Sequence, residues 1–190
     1  NHDLKIEHNQ YRIVRWENNF ESMTNVSLEY RRRYSDNLIT WSSNENYIWK
    51  PKNIDKSERK NMIMSVSIPM ISPGLSISGH VTRTVAIDIN TQKTLQHVPK
   101  SSANIFINYK KRNLSIEFQG HYTGERPYQE LDDNWEPVDI TLNGFFDIDI
   151  GLHHLFPIKT HQLRLNLIIQ NILDQNTDFF PDYPGPKRRI

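Results

Sequence analysis

Cysteine is absent from all 190 residues, which removes disulfides, thiolate metal centres and cysteine nucleophiles together. Glycine is scarce, at seven residues, and none of them builds a phosphate-cradling loop. Neither charge sign dominates. Against 23 Lys and Arg stand 22 Asp and Glu, so a net +1 supplies no global field for nucleic acid. No apolar run approaches the ~18 residues of a transmembrane helix. Apolar residues make up only 36% of the chain, thin for a compact core. Aromatic and β-branched residues are nonetheless plentiful, which argues against disorder.

What the chain does have is alternation. In 113–124 (NLSIEFQGHYTG), Leu114, Ile116, Phe118, Gly120 and Tyr122 fall on one strand face and Ser115, Glu117, Gln119 and His121 on the other. The same pattern recurs over 62–70, 75–89, 103–109, 140–152 and 161–171, and more weakly over 9–17 and 23–41. No segment reads as a helix. The expected fold is therefore all-β, an antiparallel meander.

The connections decide what kind. Short ones at 18–22, 71–74, 110–113 and 155–160 alternate with long polar ones at 42–58, 88–100, 123–139 and 173–187. In a meander this puts every tight turn at one end and every long loop at the other. A transmembrane β-barrel has that order, with short periplasmic turns and long extracellular loops. Strands of about 10 residues at ~3.3 Å each, tilted, span the ~25 Å apolar band. Tyr30, Tyr34, Trp41, Tyr109, Tyr122 and Phe156 fall near expected strand ends, where interfacial aromatics belong. The apolar face is expected to meet lipid and the polar face a wet interior. The competing architecture is a soluble sheet whose apolar face rests on a second layer. Its functional form is a soluble β-sandwich carbohydrate-binding module.

Six stretches carry a more specific signal: NHDLKIE (1–7), YRRRYSDNLITW (30–41), IWKPKNIDKS (48–57), HVPKSSANIFINY (97–109), HYTGERPYQELDDN (121–134) and IIQNILDQNTDFFPDYPGPKRR (168–189). In this order they resemble the strand and loop signatures of TonB-dependent outer-membrane receptors, over nearly the whole chain. The resemblance implies a barrel of about 22 strands around a globular plug, in the bacterial outer membrane. Residues 1–190 would be the C-terminal portion of that barrel, about eight strands, with plug domain, TonB box and final strand outside this chain. The implied function is uptake of a scarce bulky nutrient (a siderophore complex, cobalamin or an oligosaccharide) with TonB-transduced energy, and no enzymatic step. The implied partners are outer-membrane lipid and lipopolysaccharide, the plug, the TonB complex and the nutrient. No cofactor is implied.

Candidate site residues follow from position. Tyr47, Trp49, Tyr128, Trp135, Phe179, Phe180 and Tyr183 lie in three loops on the extracellular side, where rings could grip a large ligand. The alternative is that they pack the loops against one another. Glu117, Gln119, His121, Asp147, Asp149 and Arg164 are expected to face the lumen as wall polar groups. Lys187, Arg188 and Arg189 are candidates for lipopolysaccharide phosphates at the outer rim. His153 and His154 are adjacent and point to opposite faces, a poor metal geometry. The acidic run Glu130, Asp132, Asp133 and Glu136 lacks the spacing and turn glycine of a calcium loop, and Asp88 with Asn90 fails likewise. No metal site and no catalytic set is expected.

Overall fold

The computed structural model describes residues 4–20, 23–43, 49–132, 137–177 and 185–190. These form β1 (His8–Asn19), β2 (Asn25–Ser43), β3 (Trp49–Ser72), β4 (Leu75–Asp88), β5 (Ser101–Lys111), β6 (Leu114–Thr123), β7 (Arg126–Leu131), β8 (Pro137–Leu142), β9 (Phe145–Ile158) and β10 (His161–Ile169). Eight strands make one open antiparallel sheet in the order β1-β2-β3-β4-β5-β6-β9-β10, and β7 and β8 form a separate hairpin between β6 and β9.

Register carries the alternation across the whole sheet. One ladder row reads Trp16, Leu28, Met64, Val81, Ala103, Tyr122, Phe146. Another reads Ile68, Ile77, Ile107, Phe118, Ile150, Ile169. Between them run polar rows such as Ser65, His80, Asn104, His121, Asp147. A one-residue slip in any strand would swap its two faces, so the hydrophobic pattern pins the pairing.

No second layer among the described residues covers the apolar face. Among the described residues Ala86 is the one buried hydrophobic side chain, while Leu165 is 50% exposed, Val81 56% and Met62 65%. Leu114 and Ile148 are half-buried, and neither is sealed. A sandwich needs two apolar faces interdigitating across about 10 Å. The soluble-sandwich alternative has no such partner among the described residues.

The turns sort as the sequence indicates. At one end lie the tight connections: residues 20–24, 73–74, 112–113 and 159–160. Gly74 takes φ +84°, and a Cβ there would stand 2.0 Å from the Lys110 carbonyl oxygen. Pro73 before it presets the preceding φ, as in a type II turn. The long connections all leave the opposite end.

Element lengths differ from expectation. β2 and β3 run 19 and 24 residues, and most of the expected loop at 42–58 continues their ladder from Leu38↔Ile54 to Ser43↔Trp49. Beyond an apolar band both faces meet water, so the period-two signal fades while the hydrogen bonds continue. Tyr30 and Tyr34 consequently lie mid-strand, not near an end. The expected loop at 123–139 contains β7, and the expected strand at 140–152 breaks at Asn143–Gly144 between β8 and β9. β9 then runs on to Ile158, which narrows the last tight turn to two residues.

The two faces of β4 give a direct test. Ile77→Arg, on the apolar face, is expected to destabilise the membrane-assembled full-length protein by about 2–4 kcal/mol. Ser78→Arg, on the polar face, is expected to change it by under about 1 kcal/mol. The yield of folded, heat-modifiable protein on a gel measures both; equal loss from both variants would contradict the two-face assignment.

Candidate functional site

The polar face is a hydrogen-bonded surface. The Asn104 amide donates toward His80 Nε2 at 3.0 Å, and its carbonyl oxygen meets His121 Nδ1. His121 Nε2 lies 3.0 Å from the Thr123 hydroxyl. Glu117 reaches His153 at 3.6 Å, and the other nitrogen of that ring lies 3.0 Å from Asn166. Asp149 accepts the Asn171 backbone N–H at 2.9 Å. Asp147, its neighbour on the same face, keeps one buried oxygen without a hydrogen bond. Arg164 stands on this face of the edge strand β10, opposite Leu155. Glu117, Gln119, His121, Asp147, Asp149 and Arg164 therefore share one face, as their alternation requires.

Cations gather on the same face of β2 and β3. Arg31 pairs with Glu29 at 2.6 Å, and Arg33 with Glu7. Arg59 stands directly opposite Arg33. Sequence inspection passes over this group because YRRRY reads as an undivided basic run; pairing register separates Arg31 and Arg33 from Arg32, which faces the other way.

Glu7 fastens the segment before β1 to the sheet. It accepts from the Asn9 amide at 2.8 Å and the Ile39 N–H at 3.2 Å, as well as from Arg33. The Asn9 bond, foremost, then Ile39 and Arg33, hold its carboxyl below the usual glutamate value against the opposing effect of burial. Two residues earlier, the Lys5 N–H donates to Asn53 Oδ1 at 2.9 Å.

At the long-loop end, two signature stretches clamp each other and a third closes on itself. Lys100 N–H donates to the Glu125 carbonyl at 2.8 Å, Gly124 N–H to Ser101, and His97 N–H to Pro127. The His97 ring meets Tyr128 edge-on at 5.2 Å. Burial, with Arg126 adding to it, pushes the His97 pKa down, so the ring stays neutral at the clamp. Arg126 is 1% exposed, bonds the Asn143 carbonyl at 3.3 Å and lies 5.5 Å from the Phe145 ring centre. Asn171, 3% exposed, donates to the carbonyls of Gln175 and Pro186 and accepts the Gln175 N–H.

No protein-family model matches this sequence, and no curated protein matches it. Solved structures do. The siderophore receptor PirA from Acinetobacter baumannii matches over 98% of this chain and 31% of its own, with TM-score 0.76 and 16% identity. The ferripyoverdine receptor of the Pseudomonas aeruginosa outer membrane, bound to ferripyoverdine, covers 96% and 26%, with TM-score 0.73 and 14% identity. The FrpB iron transporter from Neisseria meningitidis covers 98% and 30%, with TM-score 0.69 and 13% identity.

This chain has the fold of a TonB-dependent receptor's barrel wall. It spans 26–31% of the length of these three proteins. In such a wall the uncovered apolar rows are the outer surface and the hydrogen-bonded rows the inner one.

The loop candidates divide accordingly. Tyr128 lies on β7, half-buried, with its ring on His97. Trp49 opens β3, its backbone paired with Ser43. Tyr47, Trp135, Phe179, Phe180 and Tyr183 lie outside the described residues, as do Asp133 and Glu136 of the acidic run. Lys187, Arg188 and Arg189 are exposed; Arg188 N–H donates to Asp174 at 3.0 Å, and Arg189 forms a bridge with Gln170. His153 faces the polar side, while His154 stacks on Phe156 at 4.1 Å on the apolar side. Among the described residues no three His, Asp or Glu side chains converge as a metal site. The Asp88 carboxylate instead accepts the Asn90 and Thr91 N–H groups in its own turn.

Two tests follow. Asn171→Ala removes three buried hydrogen bonds, each group left unpaired costing ~1–3 kcal/mol. Limited proteolysis of the full-length protein should then cut faster within 172–188, while the barrel itself keeps its heat-dependent mobility. For Glu7, the folded carboxyl titrates below its ordinary value of 4.5. Its contribution is thus complete above that value and lost as pH falls through the lowered one. Hydrogen exchange at residues 4–7 should accelerate below pH ~4 in wild type. In Glu7→Gln exchange should already be fast at neutral pH, without that acid step.

Proposed function

We propose that this chain is part of the wall of a bacterial outer-membrane receptor that imports an iron–siderophore complex with TonB-transduced energy. The observation that carries the reading is the uncovered apolar face, in register over eight strands and backed by a hydrogen-bonded polar face. Hydrocarbon is the neighbour that such a face fits. Iron as cargo is supported by the proteins of like fold, whose names describe siderophore and iron receptors.

Residues 1–190 act as the C-terminal portion of a barrel of about 22 strands. A plug domain fills the lumen against Glu117, Gln119, His121, Asp147, Asp149 and Arg164, and the TonB complex pulls on that plug through its TonB box. The loop aromatics Tyr47, Trp49, Tyr128, Trp135, Phe179, Phe180 and Tyr183 contact the incoming ligand, and Lys187, Arg188 and Arg189 meet lipopolysaccharide. Transport by gating makes and breaks no bond, so these residues bind and position only.

Deleting the parent gene is expected to abolish growth on one ferric siderophore as sole iron source, and to spare growth on cobalamin or oligosaccharide. Growth loss confined to cobalamin or a glycan would reassign the cargo. Replacing Phe179, Phe180 and Tyr183 together with alanine is expected to weaken ligand binding to the purified receptor at least ~10-fold, from ~1–3 kcal/mol per stacked ring. Unchanged affinity would remove that loop from the site.

A further inference from the structure

The outer face is not apolar throughout. On the first three strands its upper margin, towards the long loops, is edged by cations, and a fourth cation stands one row lower on β4. Arg12 pairs in register with Arg32, and Arg32 with Lys60. Arg83 sits on β4 opposite Met62, diagonal to Lys60. Directly below are Val14, Tyr30, Met62 and Val81; the apolar rows end there on β1 to β3, while on β4 they run on past Arg83 to Val85 and Ile87. Three cations side by side on one ladder repel one another, and a sheet gains nothing by that arrangement alone.

One carboxylate lies among them. Glu58, 6% exposed, pairs with Arg32 and with Lys60 at 2.9 Å. Arg32 also lies 4.5 Å above the Tyr34 ring. Among the described residues no carboxylate pairs with Arg12 or Arg83, and both are exposed. One step higher, Asp36 and Lys56 stand opposite and offset each other. The margin keeps an excess of three positive charges, four cations less Glu58, where hydrocarbon gives way to headgroups.

A trough lies just beneath. Gly79, Ala103 and Gly120 leave a hollow of about 360 Å³ on the apolar face, bordered by Met64, Val66, Val81, Ile105 and Phe146. Its rim at Val81 is two residues from Arg83.

We propose that Arg12, Arg32, Lys60 and Arg83 form a site for the phosphate groups of an outer-leaflet glycolipid, with one of its acyl chains lying in the Gly79–Gly120 trough. The inference rests on the outer-membrane reading above. Phosphate oxygens relieve the cross-strand repulsion through charge-assisted hydrogen bonds, and the trough takes the apolar part of the same molecule. The site is separate from Lys187, Arg188 and Arg189, which follow the β10 end of the sheet.

The test uses full-length receptor with two probes in detergent: bisphosphorylated lipid A and the same lipid A stripped of phosphate. Wild type should bind the phosphorylated probe at least ~10-fold more tightly, and the difference should shrink with salt. Arg12→Gln/Arg83→Gln leaves both Glu58 ion pairs intact and should weaken binding ~25-fold, at ~5-fold per cation. Adding Lys60→Gln should bring the loss to roughly 100-fold. Arg15→Gln, on the polar face, should change nothing. Phosphate-blind binding, or a double variant within ~3-fold of wild type, overturns the site. Failure of the wild-type protein to insert even into phosphatidylcholine vesicles overturns the outer-membrane reading itself; insertion without phosphate selectivity overturns only this inference.

Discussion

An apolar face against which no described residue packs governs everything else in this structure. In water, leaving Val81, Met62 and Leu165 half or more exposed would forfeit about 25 cal/mol for each Å² of apolar surface. A fold that leaves apolar side chains exposed on eight adjacent strands has been built for a different solvent. With hydrocarbon outside, the hydrophobic effect no longer pulls strands together; the hydrogen-bond ladder does, because an unpaired backbone group there costs several kcal/mol. Cohesion of the sheet therefore rests on register, and register on the strict alternation of side chains.

The polar face answers the second half of that constraint. Its side chains are tied mainly to neighbouring strands: His121 to Asn104, Glu117 to His153, Arg33 to Asn9. The long-loop end is tied differently, by backbone carbonyls captured by a few buried polar side chains. Arg126 and Asn171 are nearly inaccessible although they sit in connections, where polar residues are usually solvated. Their burial explains why the TGER and QNILD stretches look like signatures. Each holds a turn in one shape, and a ligand needs no part in it.

The sequence made the sheet legible and the loops largely not. Strands over 75–88, 101–111 and 114–123 stand out because both faces keep one environment along their length. β2 and β3 outrun their pattern because solvent on both sides removes the penalty on side-chain placement, and Pro51 and Lys52 can then sit in a continuing ladder. The hairpin of β7 and β8 is hidden for the same reason. The shared face of Glu117, Gln119, His121, Asp147, Asp149 and Arg164 was readable, since parity within a strand needs no tertiary knowledge. The outer cation row was not: Arg12, Arg32, Lys60 and Arg83 are 20 or more residues apart in sequence, and only register brings them together.

The open sheet sets a final requirement. Among the described strands β1 and β10 each have a neighbour on one side only. On the free side of β10 the Gln170–Arg189 bridge is already antiparallel, with backbone bonds of 2.9 and 3.1 Å in both directions. That pairing sits at the loop end, where water can still satisfy the groups beyond it. Deeper in hydrocarbon the edges of β1 and β10 find no such help, so a membrane setting demands further strands against both. The ladder that gives this sheet its cohesion thus also forbids it from being the whole barrel.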